Sequence, residues 1–203
     1  ATAFAAIGPA VAMIALQMQL GEISGLVRSN IQLTTQTLKA IRNEQWAELE
    51  GLAESVDEAV KETRELDAIT DSVWEPIAPS GPNIRKQLKL YRKNVAGHIQ
   101  EIGNVEGRAR RQNLESNAEA IVFDTYALLS SLKTHAEYQA VRAALARTRS
   151  TNDESEAQLF DRIARNTPAE IDESLSEIRA LTDTHVREVR NTAELPGRAP
   201  MPL

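Results

Sequence analysis

The sequence predicts an all-α protein: an elongated antiparallel helical bundle whose three-helix body carries a long two-helix, coiled-coil-like arm. Three observations lead there. A helical pattern runs from about Leu16 to Trp74 without interruption, stops at the breaker cluster Glu75-Pro76-Ile77-Ala78-Pro79-Ser80-Gly81-Pro82, and resumes at Ile84. Aromatics make up only 4% of the chain and glycines number 9, a composition that suits helices better than a sheet core. Charge is divided along the chain: residues 51–80 hold eight acids and two bases, residues 83–150 twelve bases and six acids.

The first long helix, taken as 21–75, has seam positions at Ile23, Val27, Asn30, Thr34, Leu38, Ile41, Gln45, Leu49, Leu52, Val56, Ala59, Thr63, Leu66, Thr70 and Val73, after Leu20 just before it. Steps of three and four alternate, so the mean repeat lies near the ~3.5 residues of a coiled coil. Residues 76–82 form the turn at the arm tip. The second long helix, 83–149, takes Asn83 as its N-cap. Its stripe is Ile84, Leu88, Tyr91, Val95, Ile99, Ile102 and Val105. Gly97, Gly103 and Gly107 then mark a bend, since each interior glycine costs ~1 kcal/mol relative to alanine. From Leu114 the apolar face widens through Ile121, Phe123, Tyr126, Leu128, Leu129, Leu132, Tyr138, Val141 and Leu145, which implies more than one neighbour.

A loop at Ser150-Thr151-Asn152-Asp153 leads to a third helix, 154–195, bent near 167. There Thr167, Pro168 and Glu170 have the pattern of a fresh helix start with a capping box. Its stripe is Ile171, Leu175, Ile178, Leu181, His185 (with Val186) and Val189. Residues 196–203 are a proline-rich tail expected to be mobile. Folding the chain at Ser80 would set Arg85 opposite Glu75, Lys89 opposite Asp71, Lys93 opposite Asp67 and Arg110 opposite Glu50. Exposed pairs of this kind set register more than stability.

Catalytic and metal chemistry find no foothold. There is no cysteine, so disulfides and thiolate sites are excluded. Histidines 98, 135 and 185 are preceded three residues earlier by Val95, Leu132 and Thr182, not by the glutamates of a helical metal site. Each lies on or beside an apolar stripe, where a packed histidine is the simpler reading. No nucleophile triad or glycine-rich phosphate loop is present. The expectation is a non-enzymatic protein with no cofactor, no metal and no small-molecule substrate. A net charge of −6 opposes nucleic acid. The cluster Arg85, Lys86, Lys89, Arg92 and Lys93 around Tyr91 could bind phosphates, but is better read as a solvated face paired with the acids of the first helix.

Three surfaces remain as candidates. Residues 1–20 carry no charge and display Phe4, Ile7, Val11, Met13, Ile14 and Leu16. This stretch is too short for a clear membrane span, yet suited to shallow insertion or to contact with another copy. Val73, Trp74 and Ile77 at the arm tip could anchor a partner, or staple the helix end over Ile84 and Leu88. Arg108, Arg110 and Arg111 form a basic patch.

The reading is a membrane-associated or assembly protein, self-associating or bound to a protein partner, with the membrane reached through residues 1–20. Its layout is similar to that of α-helical pore-forming toxins, in which long helices shield an apolar segment that later enters a bilayer. That layout would imply exposure of residues 1–20 followed by oligomerisation. The alternatives are a soluble coiled-coil adaptor or structural subunit, and a helical stalk cut from a longer protein. Compartment stays open between membrane-associated and cytoplasmic.

Overall fold

A computed structural model of the chain describes residues 19, 21–23, 25–26, 43–66 and 69–193. Five α-helices follow residue 42: α1 (Asn43–Leu66), α2 (Asp71–Ile77), α3 (Gly81–Gly103), α4 (Gly107–Arg149) and α5 (Glu154–Ala193). A 3-10 turn, Ala78–Ser80, joins α2 to α3. No strand occurs among the described residues, and the protein is an all-α helical bundle.

Side-chain pairs give the directions. Trp46 stacks on Tyr126, Asp57 meets Lys133 and Asp71 meets Arg149, so α1 and α2 advance in the same sense as α4. Tyr138 bonds Ala78 whereas Asp124 bonds Asn94, so α3 runs against α4. Glu156 meets Arg149 and Glu170 meets His135, so α5 also runs against α4. Up, down, up and down in chain order, α1, α3, α4 and α5 make a four-helix arrangement with α4 touching all the others. Residues 126–132 of α4 are buried without exception, as its wide apolar face implied.

The helices are divided differently from the expected arm and body. The expected helix 83–149 is two helices, because the chain reverses at residues 104–106. Gly107 adopts a left-handed backbone (φ 54°) that a side chain would strain, and Arg110 Nε donates to the Val105 carbonyl at 2.7 Å. The glycines therefore mark a hairpin rather than a bend. With α4 folded back along α3, α1 packs on α4, and among the described residues no long two-helix arm extends beyond the bundle.

The expected register falls with it. The acids of the first helix region meet α4, through Lys133 and Arg149, while Arg92 of α3 is held by Glu173 and Glu177 of α5. The expected helix 21–75 also divides. α1 ends at Leu66, which is exposed, and α2 restarts after Thr70, whose extended backbone accepts bonds from the amides of Val73 and Trp74.

Two capping assignments change as well. Ser80, not Asn83, precedes the first turn of α3, with Pro82 inside that turn where a missing N–H costs nothing. Asn83 Nδ2 instead donates to Glu48 at 3.3 Å. α5 is continuous through Pro168, so Thr167 caps nothing; it is buried, and Glu170 is engaged by His135. Asp153 starts α5, accepting from the Ser155 amide at 2.8 Å. Bonds from Ser155 also draw its carboxyl below the usual range.

The breaker cluster makes a corner against α4. Val73 and Ile77 are buried with Ile84, Tyr138 and Val141, and Trp74 lies 5.2 Å from the Tyr138 ring. A Cβ on Gly81 would stand 2.5 Å from the Tyr138 hydroxyl. Gly81→Ala is expected to lose about 1–2 kcal/mol by overpacking. Urea titration of the purified variant checks it; an unchanged midpoint would show that the corner can shift without cost.

Candidate functional site

A concave site lies where α3, α4 and α5 meet, a cavity of about 260 Å³. Arg85 enters from α3, His135, Gln139 and Arg142 from α4, and Arg162 and Glu170 from α5. Leu159 and Ile163 supply its apolar wall. His135 and Gln139 are four residues apart, so one face of α4 carries both.

His135 is 3% exposed, and its Nε2 lies 3.1 Å from Glu170 Oε2. An ionised carboxylate only accepts, so Nε2 carries the proton. The bond from His135 holds the Glu170 carboxyl below its ordinary range, more strongly than burial pushes it up, and the charges of Arg92 and Arg85 add to that. His135 Nδ1 and Gln139 Oε1 are buried without a hydrogen-bond partner among the described residues.

A second imidazole–carboxylate pair sits deeper along α4. His98 Nε2 is 2.8 Å from Asp124 Oδ2, and Asn94 Nδ2 donates to Asp124 Oδ1 at 3.1 Å. Among the described residues no serine or threonine hydroxyl is hydrogen-bonded to either imidazole. Both pairs cross between helices and hold them in register. The sequence placed both histidines on apolar stripes, and each there has a carboxylate partner.

The third ionisable group lies between α1 and α4. Lys133 Nζ contacts Glu137 Oε2 at 2.8 Å and also Asp57. Two carboxylates thus share one ammonium. Burial, and secondarily the hydrogen bond with Asp57, push the Glu137 carboxyl up to about 7 against the opposing pull of Lys133. Lys133 itself is raised: burial acts against its charge, but the two carboxylates outweigh it.

Of the surfaces singled out in the sequence, Phe4, Ile7, Val11, Met13, Ile14 and Leu16 lie outside the described residues, as does the 196–203 tail. The end of the uncharged segment is described. Gln19 Nε2 donates to the Pro168 carbonyl (3.2 Å) and to Asp172 Oδ1 (2.6 Å), Glu22 pairs with Arg179 at 2.5 Å, and Ile23 is fully buried in the main core.

Val73, Trp74 and Ile77 do not form a projecting tip; they clamp the corner to α4, which is the staple over Ile84. Arg108 is exposed at the start of α4, Arg110 closes the 104–106 reversal, and the side chain of Arg111 lies outside the described residues. Arg142 and Arg162 escaped sequence reading because the cleft draws its arginines from three helices; Arg85 entered only as part of a basic cluster on one helix. The one available signal was His135, a titratable residue in the middle of a wide apolar face.

No described helix is long and apolar enough to cross a membrane. Comparison with protein-family models, curated proteins and solved structures finds no match to this chain.

Proposed function

We propose that the chain is a non-enzymatic helical assembly protein that attaches to a membrane surface, or to another copy of itself, through its uncharged N-terminal segment. The supporting observation is the anchoring of that segment's end on α5. Gln19, Glu22 and Ile23 tie it to the bundle by two hydrogen bonds, an ion pair and a core side chain. A load on residues 1–18 is therefore passed directly to α5. The bundle acts as the rigid body and the apolar segment as its attachment.

Liposome flotation of the whole chain beside a Val11→Glu/Ile14→Glu variant tests this. Two charges within an apolar stretch cost several kcal/mol of lipid partitioning in total, at roughly 2.5–3.5 each for a fully inserted acid. Flotation of the unaltered chain alone supports membrane attachment. If neither floats but the unaltered chain alone self-associates by light scattering, the segment joins copies. If the two chains behave alike in both assays, the proposal fails.

A further inference from the structure

The cleft between α3, α4 and α5 gathers arginines from three helices against a single acid, Glu170. Three other arginines of the bundle are ion-paired: Arg92 with Glu173 and Glu177, Arg149 with Asp71 and Glu156, Arg179 with Glu22. Arg85, Arg142 and Arg162 line one cavity, and none is within ion-pair distance of a carboxylate among the described residues. The single acid on the cavity wall, Glu170, is committed to His135. Three like charges line one cavity against a single carboxylate, on a wall that also holds a buried imidazole whose Nδ1 has no hydrogen-bond partner among the described residues.

We infer that this cleft binds a small phosphorylated anion, held by the guanidinium groups of Arg85, Arg142 and Arg162. Guanidinium forks match phosphoryl oxygens in pairs and stay charged at every physiological pH. A phosphate monoester or diphosphate carries two or more charges and so answers three arginines better than a single carboxylate. The volume, about 260 Å³, lies below the ~300–1,000 Å³ typical of drug-sized ligands, which favours a compact anion. A long polyanion is disfavoured by the net charge of −6 on the whole chain. Bridging three helices, such a ligand stabilises the fold increasingly as its free concentration exceeds Kd, with the logarithm of one plus the ratio of free ligand to Kd. The site departs from the sequence reading, which assigned Arg85 to a solvated, internally paired face.

The phosphoryl group could belong to a soluble compound or to a lipid head group, and two arms separate them. Sodium pyrophosphate is titrated into the whole chain by calorimetry and thermal unfolding, against sodium chloride at equal ionic strength. Vesicles of phosphatidylcholine with phosphatidic acid are co-sedimented beside vesicles of phosphatidylcholine alone. Both arms are repeated with Arg142→Gln/Arg162→Gln and with Arg147→Gln/Arg165→Gln, which removes equal charge outside the cleft.

Saturable pyrophosphate binding weakened at least tenfold only in the cleft variant establishes a soluble-phosphate site. Selective binding to phosphatidic acid lost only in the cleft variant establishes a head-group site. If the cleft variant does not fold, Arg85→Gln, at an exposed position, reads the same loss. No saturable response in either arm, or equal loss in the control variant, overturns the inference.

Discussion

Replacing Trp46 with alanine is expected to destabilise the fold by about 3–5 kcal/mol, the range for losing a large buried aromatic. Trp46 is 3% exposed. Its ring lies parallel to Tyr126 at 4.6 Å and tilts against Phe123 at 6.2 Å, and Phe123 in turn meets Tyr91 edge-on at 6.0 Å. This aromatic row fastens α1 to α4 and α4 to α3. Removing the indole deletes both its burial and its stacking, and leaves a cavity between long helices that cannot close around it.

For a chain of this size the loss corresponds to a drop in Tm of roughly 6–20 °C. Urea unfolding followed by far-UV circular dichroism measures it. Trp46→Phe should recover part of the loss, because a smaller ring still contacts Tyr126. A loss below about 1 kcal/mol would show that α1 is not docked on α4 in solution, and the bundle would have to be redrawn.

The stability of the protein is expected to fall as pH rises from about 4.5 to 7, through ionisation of Glu137. In the fold its carboxyl is held at about 7, against an ordinary value of 4.5, by burial and by the neighbouring Asp57. The folded state therefore holds a proton that the unfolded chain releases earlier. The benefit is fully present below the unfolded value and lost as pH passes the folded one. At ~1.4 kcal/mol per unit the swing is on the order of 2–3 kcal/mol.

Glu170 works the other way: its depressed carboxyl contributes above the unfolded value and loses that contribution only in more acidic solution, so the two windows do not overlap. Glu137→Gln isolates the effect. The amide donates to Asp57 and accepts from Lys133 as the protonated acid does, but cannot ionise. The difference in unfolding free energy between variant and parent should move in the variant's favour by the same 2–3 kcal/mol between pH 5 and pH 8. A constant difference would mean that Glu137 is already ionised throughout.

Each helix's buried face was legible in the amino-acid order wherever apolar residues repeat cleanly. Ile84, Tyr91, Val95 and Ile102 are buried on α3, and Ile171, Leu175, Ile178 and Leu181 on α5, as their spacing required. The width of the α4 stripe correctly implied several neighbours. On α1 the three-four stepping passed through Gln45, which is exposed, and missed Trp46 beside it. A polar residue was accepted into the seam because the heptad was extended evenly along an assumed continuous helix. The non-helical residues 69–70 and the exposed Leu66 show that continuity was the faulty premise.

The sequence by itself thus determined that the chain is helical, where its helices can interrupt, and which face of each turns inward. Periodicity is a local property, and local spacing reports those things. Only the tertiary structure decided which helices meet. Gly103 and Gly107 are equally compatible with a kink and with a reversal, and the left-handed backbone at Gly107 selects the reversal. That choice brings α4 against α1, folds the Val73–Ile77 corner inward and draws Arg85, Arg142 and Arg162 around one cavity. Residues so far apart in the chain share no period, so no pattern along it could have joined them.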